Sequence, residues 1–159
     1  MRLIITLLAI VALITPAQAQ PNWGYYENAR YGYALDIPPG FDGQGESANG
    51  DGQVFLLDGR VARLTVWGGV FATAPDFEAE ANARIAGDTE DGWGLAAHAT
   101  SPTWATWSAT KPGRVMHQHM IALCDGQGYA ALRFDYAQVD RRKLDALIEP
   151  LIASFNAPC

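Results

Sequence analysis

Residues 115–137 read VMHQHMIALCDGQGYAALRFDYA. The stretch from Val115 to Cys124 is long and largely apolar, and Asp125-Gly126-Gln127-Gly128 follows as a turn. Ala130, Leu132, Phe134 and Tyr136 then fall on alternate residues. Alternation with period two puts those four side chains on one face of a strand. Asp-Gly supplies the positive φ that a tight turn needs. Two long strands joined by so short a turn are antiparallel neighbours.

Upstream, Trp104 to Thr110 is another strand, closed by Lys111-Pro112-Gly113, and Trp93, Leu95 and Ala97 alternate in one before it. Near the start of the chain, Tyr31, Tyr33, Leu35 and Ile37 share a face, and Pro38-Pro39-Gly40 stops that strand. Trp23 to Glu27 is its partner, turned through Asn28-Ala29-Arg30. Asn49-Gly50-Asp51-Gly52 joins a polar strand near Gln44–Ser47 to an apolar one at Gln53–Leu57. After the turn Asp58-Gly59-Arg60, Leu64, Val66, Gly68 and Val70 alternate with Arg63, Thr65 and Trp67. The pair Gly68-Gly69 inside this strand predicts a bulge or a close backbone approach.

The period changes in two places. Ala74-Pro75-Asp76 starts a helix in which Phe77, Ala81 and Ile85 fall on one side, with Gly87 as its expected end. The last 20 residues hold the clearer helix. Leu144, Leu147, Ile148, Leu151, Ile152 and Phe155 follow the helical pattern, with Asp140 as N-cap. Pro150 predicts a kink or break between Ala146 and Glu149. The order is strands, helix, strands, helix. The expected fold class is therefore α+β, a mostly antiparallel sheet flanked by helices.

The chain opens with Met1-Arg2, an apolar run from Leu3 to Ile14, and Thr15-Pro16-Ala17-Gln18-Ala19. A short basic start, an apolar stretch of about twelve residues and an A-x-A site describe a secretory signal peptide at 1–19. A membrane span needs about 20 apolar residues, so no membrane insertion is expected after cleavage. Residues 20–159 form the expected single domain, soluble and periplasmic or secreted. Removing Arg2 leaves 10 basic residues against 17 acidic ones, a formal charge of about −7 in place of −6. Such a surface repels phosphate backbones, so nucleic acid is excluded as a partner class.

Cys124 and Cys159 are the two cysteines. An even count in an exported chain suggests a bridge. It would close a loop of about 36 residues and add roughly 4 kcal/mol through loop entropy. Free thiols or an intermolecular pair are the alternatives.

An aromatic opening hairpin, Tyr25-Tyr26-Glu27-Asn28 then Tyr31-Gly32-Tyr33, leads to Ile37-Pro38-Pro39-Gly40-Phe41. With the central helix, the Lys111-Pro112-Gly113 turn and a terminal helix ending Ala153-Ser154-Phe155, this layout resembles the PsbP-like α/β/α sandwich superfamily. The resemblance covers nearly all of residues 20–159. It implies an unknown protein or small-molecule partner, with binding, scaffolding or assembly in place of catalysis, and no cofactor. It transfers no active-site residues. The Ran-binding role of some members is closed to an exported protein.

Three clusters could carry chemistry. His117 and His119, two apart on a strand, project from one face, and His98 could add a third imidazole for zinc or copper. The competing reading is a half-exposed sheet face shared with Val115 and Ile121. The same histidines could serve a small hydrolase, with a triad drawn from Ser108, His119 and Asp135, although no G-x-S-x-G elbow is present. Trp67, Trp104 and Tyr129 are candidates for a ligand-binding surface. Trp104 and Trp107, an odd number apart, should face opposite sides of their strand.

Overall fold

The computed structural model describes residues 22–57, 59 and 61–159. The expected signal peptide at 1–19, and the expected start of the domain at 20, lie outside those residues. Among the described residues nine strands, one long helix and a terminal helical segment follow in order: β1 Gly24–Asn28, β2 Tyr33–Ile37, β3 Phe41–Glu46, β4 Gly52–Leu57 and β5 Ala62–Val70. Then come α1 Phe77–Glu90, β6 Gly94–Thr100, β7 Trp104–Lys111, β8 Arg114–Ala122 and β9 Gly128–Ala137. The terminal helix is broken into α2 Arg141–Leu144, a 3-10 turn over Asp145–Leu147, and α3 Ile148–Ser154. The break falls just before Pro150, whose ring would clash with the carbonyl four residues earlier and which has no N–H to donate.

Strands β3 to β9 make one antiparallel sheet in the order β3-β4-β5-β9-β8-β7-β6, and β1-β2 form a separate hairpin. Each turn-linked neighbour expected from the sequence is present. The join that sequence could not show is β5 beside β9, in regular register from Ala62↔Tyr136 to Val70↔Gly128. That register passes through Gly68 and Gly69 without a bulge. The glycines answer to close approach instead. A Cβ on Gly68 would lie 2.3 Å from Cγ of Tyr31, and one on Gly69 would lie 2.4 Å from the Tyr129 hydroxyl.

The two faces of the sheet bury different cores. On one side Leu64, Val66, Leu132 and Phe134 pack against Tyr33 and Leu35 of the hairpin and against Leu151 and Phe155 of the terminal segment. On the other side Trp107, Met116 and Met120 pack against Phe77, Ala81 and Ile85 of α1. Residues paired across an antiparallel sheet share a face, so β5, β7, β8 and β9 divide between these layers, whereas the edge strand β6 shifts register between Leu95 and Ala97 and stays largely exposed. Asp76 caps α1 by accepting from Ala79 N–H at 2.8 Å. The helix runs past Gly87, its expected end, to Glu90, and the positive φ of 84° that turns the chain out belongs to Gly92. Gly87 does not take the positive φ with which a glycine ends a helix, so the helix continues through it.

Asn28 explains one piece of the opening motif. It is buried, donates from Nδ2 to Glu46 Oε1 at 2.7 Å and to the Gly50 carbonyl at 3.0 Å, and accepts from Tyr31 N–H at 2.9 Å. One side chain thereby ties the β1-β2 turn to β3 and the β3-β4 turn. At the other end, Ala34 and Asn156 exchange backbone hydrogen bonds, and Cys124 is bonded to Cys159. The bridge anchors the last residue to the end of β8, satisfying the intramolecular pairing. Among the described residues no helix is long and apolar enough to cross a membrane.

Candidate functional site

The three histidines leave the sheet on two faces, although His98 and His117 both border one groove at the edge of the sheet. His117 pairs across the sheet with Ser108, and His119 with Thr106, so both leave β8 on the side of α3. His98 pairs with Trp107, which points under α1, so His98 leaves the edge strand on the opposite face. Among the described residues no group of three His, Cys, Asp or Glu side chains could hold a metal ion. The face that His117 and His119 share is partly covered: His117 and Ile121 are half-buried, whereas Val115 and His119 are buried. Strand β8 is interior, His119 is only 9 % exposed, and its ring meets the edge of Phe155. His117 stacks on Tyr136 with ring planes 12° apart.

His117 Nε2 and His119 Nδ1 are buried without hydrogen-bond partners. Burial lowers the pKa of both rings, opposed at His117 by Asp145 and assisted by Arg141. The triad fails on geometry as well. Asp135 lies on the α1 side, opposite Arg63 and bound to Arg114, whereas His119 is on the other. What remains on the histidine side is a groove of about 250 Å³ between β6-β7 and α3, bordered by His98, Thr106, Ser108, His117, Ile148 and Ile152. Ser108 and His117 are neighbours there without a hydrogen bond between them.

The aromatic candidates divide. Trp67 and Tyr129 both lie in the α1-side layer, where Tyr129 stacks on Phe71 and Arg84 sits 4.6 Å from its ring centre. Trp104 pairs with Ile121 on the opposite face and is 42 % exposed, while Trp107 is buried.

The α1 side holds a second and more polar groove. Helix α1 covers β6 and β7 but leaves the β4-β5 part of the same face uncovered. An open groove of about 430 Å³ results, lined by Arg63, Thr65, Trp67, Arg84, Arg133 and Asp135. Its construction follows from period two. Arg63, Thr65 and Trp67 are alternate residues of β5, and Thr65 and Arg63 stand directly opposite Arg133 and Asp135 of β9. Arg84 enters from α1.

Two of the arginines are held from behind. Arg133 donates from Nη2 to both oxygens of buried Asp88, at 2.6 and 2.9 Å, and from Nε to Gln118 at 2.6 Å. Trp107 Nε1 completes the set on Asp88 at 2.7 Å. Arg84 donates to Glu80 at 2.8 Å and to the Tyr129 hydroxyl. Sequence reading missed all three arginines as a group, since they come from β5, α1 and β9. The one available signal was the Arg-x-Thr-x-Trp alternation on β5.

No family model and no curated protein matches the chain. Solved structures do. The solution structure of cyanobacterial PsbP (CyanoP) from Synechocystis superposes with a TM-score of 0.62 at 13 % identity, covering 95 % of this chain and 99 % of that one. The chain has the PsbP-like fold. The Saccharomyces cerevisiae Ran-binding protein Mog1p gives the same TM-score at 11 % identity, over 86 % of this chain and 95 % of Mog1p. A Bacteroides thetaiotaomicron protein follows at 0.51 and 12 % identity, covering 87 % of this chain and 49 % of its own length. Identities this low speak for the PsbP-like architecture alone, and the two grooves are read from this chain's own residues.

Proposed function

We propose that this is an exported, non-enzymatic binding or assembly protein that meets its partner on the uncovered part of the α1 side of its sheet. The observation that carries the reading is the half-open layer. Helix α1 stops short of β4-β5 and leaves Trp67, with Thr65 and Arg63 beside it, bordering an open groove. An amphipathic ring next to fixed polar groups suits a docking site. The PsbP-like neighbours support the reading, since one of them, Mog1p, is itself described as a Ran-binding protein. Export is supported by the pattern at residues 1–19 and by the Cys124–Cys159 bond.

The test has two parts. Mass spectrometry of the native protein should find a chain starting at Gln20. The immobilised mature chain, incubated with the extracytoplasmic fraction of the cells that make it, should retain a partner, and the Trp67→Ala variant should lose it. Repeated failure to retain anything specific sinks the binding role. A hydrolase centred on His117 and His119 would show instead as esterase, glycosidase or peptidase turnover abolished by His119→Ala. A metal-binding role would show as zinc or copper uptake at micromolar concentration.

A further inference from the structure

The groove beside Trp67 is unusual for its charge. The chain carries 17 acidic residues against 11 basic ones, yet three guanidinium groups and a single carboxylate line this groove. That carboxylate, on Asp135, is already held by Arg114. Arg63 makes no ion pair or side-chain hydrogen bond among the described residues, and it is exposed. Arg133 and Arg84 spend Nε and Nη2 on their internal partners, and the Nη1 atom of each makes no hydrogen bond among the described residues. Their side chains remain 28 % and 33 % exposed.

The internal bonds do more than neutralise charge. Asp88 and Gln118 fix the plane of the Arg133 guanidinium, while Glu80 and the Tyr129 ring fix that of Arg84. A planar fork held in place loses little entropy when it binds, so its free edge is a preorganised oxyanion donor. Charge-assisted hydrogen bonds from guanidinium to carboxylate or phosphate are about twice as strong as neutral ones. Trp67, which lines the same groove, offers an apolar face to whatever carries the anion.

We infer that the groove lined by Arg63, Arg84, Arg133 and Trp67 binds an oxyanion, a carboxylate or phosphate group borne on an apolar or aromatic body. The inference rests on the reading of this groove as the binding face, and it names the chemistry that the face selects. Arg63 is the movable arm that closes on the anion. Arg84 and Arg133 are the fixed donors, and the body lies along Trp67.

Three probes separate the sources: benzoate, phenyl phosphate and the uncharged benzyl alcohol. Each is titrated against the mature chain while the arginine Nε–H and tryptophan indole N–H signals are followed by NMR. Saturable shifts at Trp67 and Arg84 are expected for at least one anion, with a Kd of about 1 mM or tighter, and none for benzyl alcohol. The stronger of the two anions identifies carboxylate or phosphate as the natural group. Arg63→Gln should weaken that anion by about tenfold, and Arg63→Lys by less. Arg63 is exposed and supports no internal bond, so both variants keep the fold, which the unchanged remainder of the spectrum verifies. The inference is overturned if neither anion saturates, if benzyl alcohol binds as well as they do, or if Arg63→Gln leaves the affinity unchanged. A partner that depends on Trp67 in the retention assay, with no anion response here, overturns the inference and leaves the docking role standing. Anion binding without any retained protein does the reverse.

Discussion

Arg133 reaches across the sheet face to Asp88 on α1, and its Nη2 donates to both carboxylate oxygens at 2.6 and 2.9 Å. Asp88 is 6 % exposed and also accepts from Trp107 Nε1. The pair therefore joins helix to sheet and positions one wall of the groove. Its two members are not equivalent. Removing Arg133 strands a buried carboxylate, whereas removing the charge of Asp88 frees a guanidinium that already reaches solvent. Arg133→Met should cost about 3 kcal/mol of folding stability, and Asp88→Asn distinctly less. Urea midpoints at constant m-value check the order; equal costs would mean that the pair adds little beyond packing.

His119, which is buried, and His117, which is half-buried, should give the fold an acid weakness. Burial lowers the pKa of His117 and His119 in the folded chain, so the unfolded chain binds more protons once pH falls below about 6.5. Their contribution is fully present above that value and is lost as pH falls through and beyond it. Stability should decline between pH 7.5 and 5.5, with a slope of up to about 1.4 kcal/mol per pH unit for each histidine. His119→Leu should flatten the decline. Denaturant titrations at several pH values read this directly, and a flat wild-type profile would show that protonation is accommodated.

Gly68 is predicted to be irreplaceable while Tyr31 stands over it. A Cβ there meets Tyr31 at Cγ, Cδ2 and Cβ, none of which is the free end of a flexible chain. Gly68→Ala should cost about 1–3 kcal/mol from overpacking. Adding Tyr31→Ala should recover part of that cost, so the double variant loses less than the two single losses combined. Thermal unfolding of the four proteins in the cycle checks it; strict additivity would place the strain elsewhere.

The Cys124–Cys159 bond ties the last residue to the end of β8, across a sequence separation of 35. Replacing both cysteines by serine should lower stability by about 2–4 kcal/mol. The same loss should appear when the wild-type protein is reduced, and reduction should leave the double variant unaffected. Calorimetry with and without reductant tests both statements.

Much of this architecture was legible in local pattern. The β8-β9 turn, the β1-β2 hairpin and the break before Pro150 each depend on residues a few positions apart, where alternation, turn chemistry and the missing proline N–H act directly. What local pattern could not supply was long-range register. The pairing of β5 with β9 sets Arg63 and Thr65 opposite Asp135 and Arg133, and nothing near residue 65 announces residue 133. The histidines illustrate the same limit. Their spacing correctly implies a shared face. Only the sheet order shows that His98 leaves by the other one, and that the shared face is covered by the terminal segment. Gly87 was misleading because a glycine permits a helix end without requiring it.

On the proposed function, the open groove at Trp67, and not the histidine side of the sheet, is the binding face. Oxidative footprinting by mass spectrometry compares the two sides in one experiment, with and without the partner retained by the mature chain. Trp67 on the α1 side and Trp104 on the opposite face serve as reporters. Partner binding should slow oxidation of Trp67 severalfold and leave Trp104 unchanged. Protection of Trp104 with Trp67 still reactive would contradict that reading.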